Sequence, residues 1–355
     1  MNTRRIILES LLGLAFLLQT GCEVAVVNGR KLDAVPGIAQ MRREGRTRTS
    51  HWVKEVETRP ETDRNLSQAD PCRIKYHPSC SQQRWMAVEG RLDTGRRYPL
   101  VLDTGASVAL FVNDIHVVEN NLAIAPLASP KSGSPGWGMC HLPALHIGQV
   151  LLPDPPCFYR EQHTEVRLLG LPLARDKTMI AGLGVLRQFK YVAFDSINRE
   201  VEFSIERAFK PEQPDSWAQY SFVIEEDLGG NAFLFVKIPI AGHETEVQLD
   251  TGSGRGLAIS EELWKAMKEK IGPTKLRKGK DLYPYIGLLP CRHGAVAQLE
   301  VGNRIVKKAE VSVFPDDSPV VDRCSGLLGM QYFQDTVIVL DFERNLMWVK
   351  NPVRL

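Results

Sequence analysis

Short apolar runs bounded by turn residues, rather than helical stripes, dominate the chain beyond residue 85. Leu100-Val101-Leu102, Tyr191-Val192-Ala193-Phe194, Val247-Gln248-Leu249 and Val337-Ile338-Val339-Leu340 each have strand length and end at an Asp. Helical signals are few and short. Ser260 precedes Glu261-Glu262-Leu263-Trp264-Lys265-Ala266-Met267, with acid in the first turn and Gly272 at the stop, and Asn113 offers a second N-cap. The pattern predicts a mainly β body.

The pattern also repeats. Asp-Thr-Gly closes an apolar strand at Asp103-Thr104-Gly105 and again at Asp250-Thr251-Gly252, 147 residues on. Gly95 and Gly242 each stand eight residues before the Asp, and Asn113 and Ser260 each stand ten after it. Apolar segments follow, ending at Gly184, 81 residues after Asp103, and at Gly329, 79 residues after Asp250. Each leads to a strand closing in Asp195 or Asp341. Matched landmarks of this kind predict a duplicated unit. A third triplet, Asp93-Thr94-Gly95, falls on the hairpin-turn position that the second copy fills with Ala241-Gly242-His243, and reads as a turn.

A carboxylate at the tip of a buried strand is costly unless it is used. Two in one duplicated chain predict a facing pair that shares a proton, since like charges at close range do not both ionise. One carboxyl then takes a proton from water while the other polarises a peptide carbonyl, with no metal or other cofactor required. Gly105 and Gly252 let the loops turn and bring backbone donors near the carboxylates. Thr104 and Thr251 offer hydroxyls to tie the loops together, and Ser253 offers one to Asp250, where Ala106 has none for Asp103.

These motifs, with Ala181-Gly182-Leu183-Gly184-Val185 and Gly326-Leu327-Leu328-Gly329-Met330, resemble the aspartic peptidases, in particular two fused retropepsin-like units of bacterial type. The resemblance spans roughly residues 85 to 350. It implies two tandem acid-protease-like β barrels forming a pseudo-twofold bilobal unit, with Asp103 and Asp250 as the catalytic pair and Thr104 and Thr251 interlocking the loops. It also implies hairpin flaps over an extended peptide or protein substrate, with Trp137, Tyr283 and Tyr285 as candidate flap residues. Gly182 departs from the pattern, standing where the bracing segment normally carries an apolar residue.

Composition bounds the partners. With 24% charged residues and a net charge of +2, the chain gives no reason to expect nucleic acid. Arg4 and Arg5 precede an apolar stretch from Ile6 to Leu18, which ends in Leu18-Gln19-Thr20-Gly21-Cys22 and resembles a bacterial lipoprotein signal. The expectation is export to the cell envelope, in the periplasm, with a lipid anchor on Cys22. Six further cysteines, Cys72, Cys80, Cys140, Cys157, Cys291 and Cys324, then suggest disulfides 72–80, 140–157 and 291–324. The organisation expected is a signal over 1–22, a flexible tether and N-terminal segment over 23–84, a first lobe over 85–205, a linker over 206–219 and a second lobe over 220–355.

Other chemistries fit less well. His141, His146 and His293 lie near Cys140 and Cys291, yet no Cys-x-x-Cys or His-Glu-x-x-His spacing occurs, so no metal is expected. No Gly-x-Ser-x-Gly elbow marks a serine hydrolase. The main rival is a catalytically inactive peptide-binding lipoprotein of the same fold. Another is lobe exchange between chains, against which a short linker favours an intramolecular pair of lobes.

Overall fold

The computed structural model describes residues 22–28, 71–78, 86–127, 136–227, 231–283 and 287–351. Strand Arg97–Asp103 buries Leu100, Val101 and Leu102, on both of its faces, whereas His243–Asp250 buries the alternate residues Thr245, Val247 and Leu249. Each is reached through a hairpin, from Ala87–Leu92 or from Ala232–Ile240. Gly95 at φ 83° and Gly242 at φ 75° turn these hairpins in the left-handed region that a residue lacking Cβ enters freely.

The same strand order is then built twice. Met179–Gly182 lies parallel to Arg97–Asp103, and Gly326–Gly329 lies parallel to His243–Asp250. Each of these runs antiparallel to the strand after the Asp-Thr-Gly loop, Leu110–Asn113 or Leu257–Ser260. That strand pairs in parallel with Pro156–Arg160 in the first half and Arg304–Phe314 in the second. A helix follows in both copies. Asn113 Oδ1 accepts from Ile115 N at 3.1 Å to start Asp114–Glu119, and Ser260 Oγ accepts from Leu263 N at 3.1 Å to start Glu261–Ile271.

The closing strands join the halves. Tyr191–Asp195 runs antiparallel to Val337–Asp341 with Ala193 opposite Val339, equivalent residues of the two repeats, so the pseudo-twofold axis passes between them. Around this pair a 13-stranded sheet extends from Cys72–Lys75 at one edge to Arg277–Tyr283 at the other, and a nine-stranded and a three-stranded sheet make up the rest of the first lobe. Both terminal aspartates close turns: Asp195 Oδ1 accepts from Asn198 N at 2.8 Å, and Asp341 Oδ1 from Arg344 N at 3.1 Å. One apolar cluster, including Leu102, Phe194, Leu249 and Leu340, runs through both lobes. The chain is mainly β and bilobal with pseudo-twofold symmetry. No helix among the described residues is long and apolar enough to cross a membrane.

Two segments differ from the sequence expectation of a tether. Cys22–Asn28 is a strand antiparallel to Gln162–Leu168, and Cys72–Lys75 is a strand antiparallel to Glu200–Ser204. Their partners lie more than a hundred residues away, so no local periodicity announces them. The linker is also packed: Phe209 meets the rings of Tyr191, Trp217 and Trp348 edge-on at 5.4, 5.4 and 5.6 Å.

The disulfide expectation is corrected. Cys72, Cys140, Cys157, Cys291 and Cys324 are free thiols, while Cys80 lies outside the described residues. Cys140 and Cys157 stand opposite each other on neighbouring strands, with Cys157 Sγ donating to Pro155 O at 3.4 Å. Cys291 Sγ is engaged by His293 Nε2 at 3.1 Å, whereas Cys324 Sγ donates to Gly326 O at 2.9 Å, so the two sulfurs serve different neighbours. The cysteines do not follow the repeat either. Cys157 pairs with Leu110, and its second-lobe counterpart opposite Leu257 is Val311.

Candidate active site

The two Asp-Thr-Gly loops meet at the lobe interface, and the threonines hold them there. Thr104 Oγ1 donates to Leu249 O at 2.6 Å, and Thr251 Oγ1 donates to Leu102 O at 2.7 Å. In return Thr251 Oγ1 accepts from Thr104 N at 3.0 Å, and Thr104 Oγ1 from Thr251 N at 3.1 Å. Both threonines are fully buried, so each hydroxyl has its donor and its acceptor roles filled by the other lobe.

This network brings Asp103 and Asp250 within hydrogen-bond reach of each other. Asp103 Oδ1 accepts from Gly105 N at 2.8 Å and Ala106 N at 3.1 Å. Burial pushes the Asp103 carboxyl above its usual range, opposed by the hydrogen bond it accepts from Asp250 and by the backbone N–H donors. The Asp250 carboxyl is pushed well above its usual range by burial, then by the Asp103 charge and by its role as donor to Asp103. Both carboxyls are shifted toward the protonated form, so they titrate as a pair that shares a proton, and no protein group hydrogen-bonds Asp250 Oδ1 among the described residues.

Glycine is required in these loops by close approach across the interface. A Cβ on Gly105 would stand 2.6 Å from Asp250 Cγ, and one on Gly252 would stand 2.5 Å from Asp103 Oδ2. A side chain at either position would drive the carboxyls apart. Ser253 departs from its expected role: its Oγ accepts from Arg255 N at 3.3 Å, and it is the backbone N–H of Ser253 that favours the charged form of Asp250.

Gly182 is no departure from the repeat. It pairs with Asp103 as Gly329 pairs with Asp250, each 79 residues after its aspartate. A Cβ on Gly182 would press into Val108 O and stand 2.6 Å from Ala106 O, and one on Gly329 would press into Arg255 O and stand 2.9 Å from Ser253 O. Both glycines therefore admit the backbone of the loop that follows Asp-Thr-Gly. The counterpart of Gly329 is thus Gly182 and not Gly184, and the equal offset is the signal that the sequence carries.

No family model matches the chain, and no curated protein matches it. Solved structures with a similar course of the backbone include an aspartic proteinase from Irpex lacteus, 12% identical, covering 79% of this chain and 97% of that one at a TM-score of 0.47. Basic 7S globulin from soybean is 12% identical over 78% of this chain and 93% of its own, TM-score 0.39. Conglutin gamma, a basic 7S globulin from lupine seeds, is 10% identical over 80% and 96%, TM-score 0.42. At such identities no residue's role transfers, and the site's chemistry rests on its own geometry.

Of the candidate flap residues, Trp137 starts the strand Trp137–His141, packs edge-on against Phe111 at 6.0 Å and carries the Arg160 guanidinium 5.1 Å above its ring. Tyr283 ends Arg277–Tyr283 and packs on Phe314 at 5.8 Å. Burial and the charges of Asp281 and Asp250 push its hydroxyl pKa up, which places Tyr283 within the electrostatic reach of the pair. Tyr285 lies outside the described residues. Beside Tyr283 opens a cavity of about 620 Å³, lined by Arg255, Leu257, His293, Glu310 and Leu327 among others.

Sequence reasoning missed the fastening of this hairpin. Asp281, fully buried, accepts from Ser312 Oγ at 2.8 Å on Oδ2, while Oδ1 faces His293 Nε2 at 2.9 Å and Arg255 Nη1 at 2.7 Å. Arg255 comes from the loop after Asp250-Thr251-Gly252, so this ion pair ties the hairpin to the active-site loop. Asp281, Cys291 and His293 bring ligand atoms within 4.8 Å of one another. The arginine and the serine already satisfy Asp281, and the group reads as a hydrogen-bonded clasp. His146 is likewise occupied, its Nε2 lying 2.6 Å from Asp93 Oδ1 beside the Gly95 turn.

Proposed function

We propose that this chain is an aspartic endopeptidase that hydrolyses peptide bonds with water activated by Asp103 and Asp250. The observation that supports it most is that four reciprocal threonine bonds hold two part-buried carboxyls together across the interface, each packed against the glycine of the other loop. A peptide-binding groove gains nothing from two facing carboxyls, whose burial opposes folding. The pair shares one proton: its ionised oxygen takes the proton of water while the protonated carboxyl polarises the scissile carbonyl. As the C–N bond breaks, the roles exchange and a proton reaches the leaving nitrogen. The fused arrangement of two similar lobes, each with its own hairpin, favours a retropepsin-like relation. The protein is further proposed to be exported and anchored through lipid on Cys22.

Asp103→Asn and Asp250→Asn should each abolish cleavage of a mixed peptide library, assayed over about pH 3 to 8, while leaving the circular dichroism spectrum unchanged. Activity surviving either substitution would refute the dyad. A wild-type protein that binds peptides and cuts none at any pH would establish the inactive binding reading instead.

A further inference from the structure

The described parts of the first lobe carry a small three-stranded sheet that has no counterpart among the described residues of the second, formed by Cys22–Asn28, Gln162–Leu168 and Leu171–Arg175. The turn between its last two strands is built from Leu169 at φ 52° and Gly170 at φ 79°. Glycine suits such a turn, but leucine in the left-handed region is strained, and Asn or Asp is the usual residue there. The strained leucine is also 67% exposed, and Leu171 and Leu173 beside it are 70% and 63% exposed. Three large apolar side chains in water within five residues, one of them strained, form a concentration that nothing in the fold requires. Arg167 and Arg175, lower on the hairpin, are already paired with Glu165 at 3.1 and 3.0 Å, so the tip is apolar and bears no free charge of its own.

The position of this tip indicates what it meets. Cys22 lies opposite Leu168, and Asn28 lies opposite Gln162, so the chain enters the sheet at the leucine end. Three residues therefore separate the apolar stretch Ile6–Leu18 from a strand that begins opposite Leu168, next to the turn at Leu169. Whatever brings the segment before Cys22, or a lipid on Cys22, into a bilayer brings the leucine tip to the same surface.

We propose that Leu169, Leu171 and Leu173 form a membrane-docking tip that inserts among the acyl chains of a phospholipid bilayer beside the N-terminal anchor point. The body then sits against the membrane in one orientation, held by the strand Cys22–Asn28, and does not swing on a long tether. The leucine tip adds to the anchor a second apolar contact, which fixes the orientation of the body on the bilayer. This inference shares with the proposed function only the expectation of a membrane anchor and is independent of catalysis.

The test introduces Leu171→Trp into the full chain, which is added to phosphatidylethanolamine/phosphatidylglycerol vesicles with or without brominated acyl chains. Ile305→Trp, an exposed position in the second lobe, serves as control. Brominated lipid should quench the added tryptophan at 171, relative to wild type, at least about twofold more than that at 305, with a blue shift in its emission. Equal quenching at the two positions overturns the proposal. Because tryptophan could disturb the turn, a second variant carries Leu169→Ser, Leu171→Ser and Leu173→Ser, and its release from vesicles by dilution should be roughly tenfold faster than that of wild type; unchanged release overturns the proposal as well. Uptake of labelled fatty acid separates the two readings. Quenching without acylation supports the tip and removes the anchor on Cys22, whereas acylation without quenching removes the tip and leaves the anchor.

Discussion

Asp250 sits where two costs add, removal from water and a second carboxyl within hydrogen-bond reach. Its folded-state pKa lies above the ordinary value of 3.8, so the native state binds this proton more tightly than the unfolded chain. The stability contributed by the group is complete below about pH 3.8 and is lost as pH rises through the raised value. Asp103 is shifted in the same direction and adds to the slope. The difference in unfolding free energy between wild type and Asp250→Asn, measured in denaturant from about pH 3 to 8, should therefore move against wild type as pH rises. A difference that moved in its favour would contradict the shared-proton account. At Gly182 and Gly329 the constraint is steric. Each Ala variant should lose about 2–3 kcal/mol of stability, because the added methyl meets loop carbonyls that are held in place by backbone hydrogen bonds from Leu183, Gly184, Met330 and Gln331. Wild-type melting of Gly182→Ala would show that the loop after Asp103 is not braced there.

Among the elements, the hairpin of Arg277–Tyr283 with the start of Gly287–Val301 carries the most testable consequence. It is fastened to the catalytic loop by Arg255 on Asp281, a pair in which the carboxylate is fully buried while the arginine side chain is 54% exposed. Solvent screening at the arginine limits the pair to about 1 kcal/mol of stability. Its effect on binding should be larger than its effect on the fold, because the fastening positions Tyr283 beside the cavity. Arg255→Ala should raise KM for peptide several-fold with kcat changed less, and should leave the melting temperature within a few degrees. A fall in kcat at constant KM would assign Arg255 to the chemistry instead.

For the whole molecule, the interface between lobes is continuous with the core. The central strand pair, the apolar cluster through both lobes and the packed linker leave no boundary at which one lobe could open alone. Calorimetry should show a single unfolding transition. Phe209→Ala, which removes one ring from a four-ring cluster, should lower stability by about 2–3 kcal/mol and keep the transition single. Two resolved transitions would mean that the lobes fold independently.

The amino-acid sequence by itself determined the duplication, the mainly β character and the two carboxylates, because these depend on local patterns and equal offsets. Strand alternation, N-caps at Asn113 and Ser260, and turn glycines at Gly95 and Gly242 are all written within a few residues of where they act. The tertiary structure decided what depends on partners far along the chain. It paired Cys22–Asn28 with Gln162–Leu168, exchanged an expected set of disulfides for five free thiols among the described residues, and reassigned Gly182 from a flaw to a necessity. It also brought Arg255 to Asp281 and set the hydroxyl of Ser253 on a backbone amide. In each case the deciding quantity is a distance between atoms remote in sequence, which the long-range pairing of strands sets and no local periodicity records.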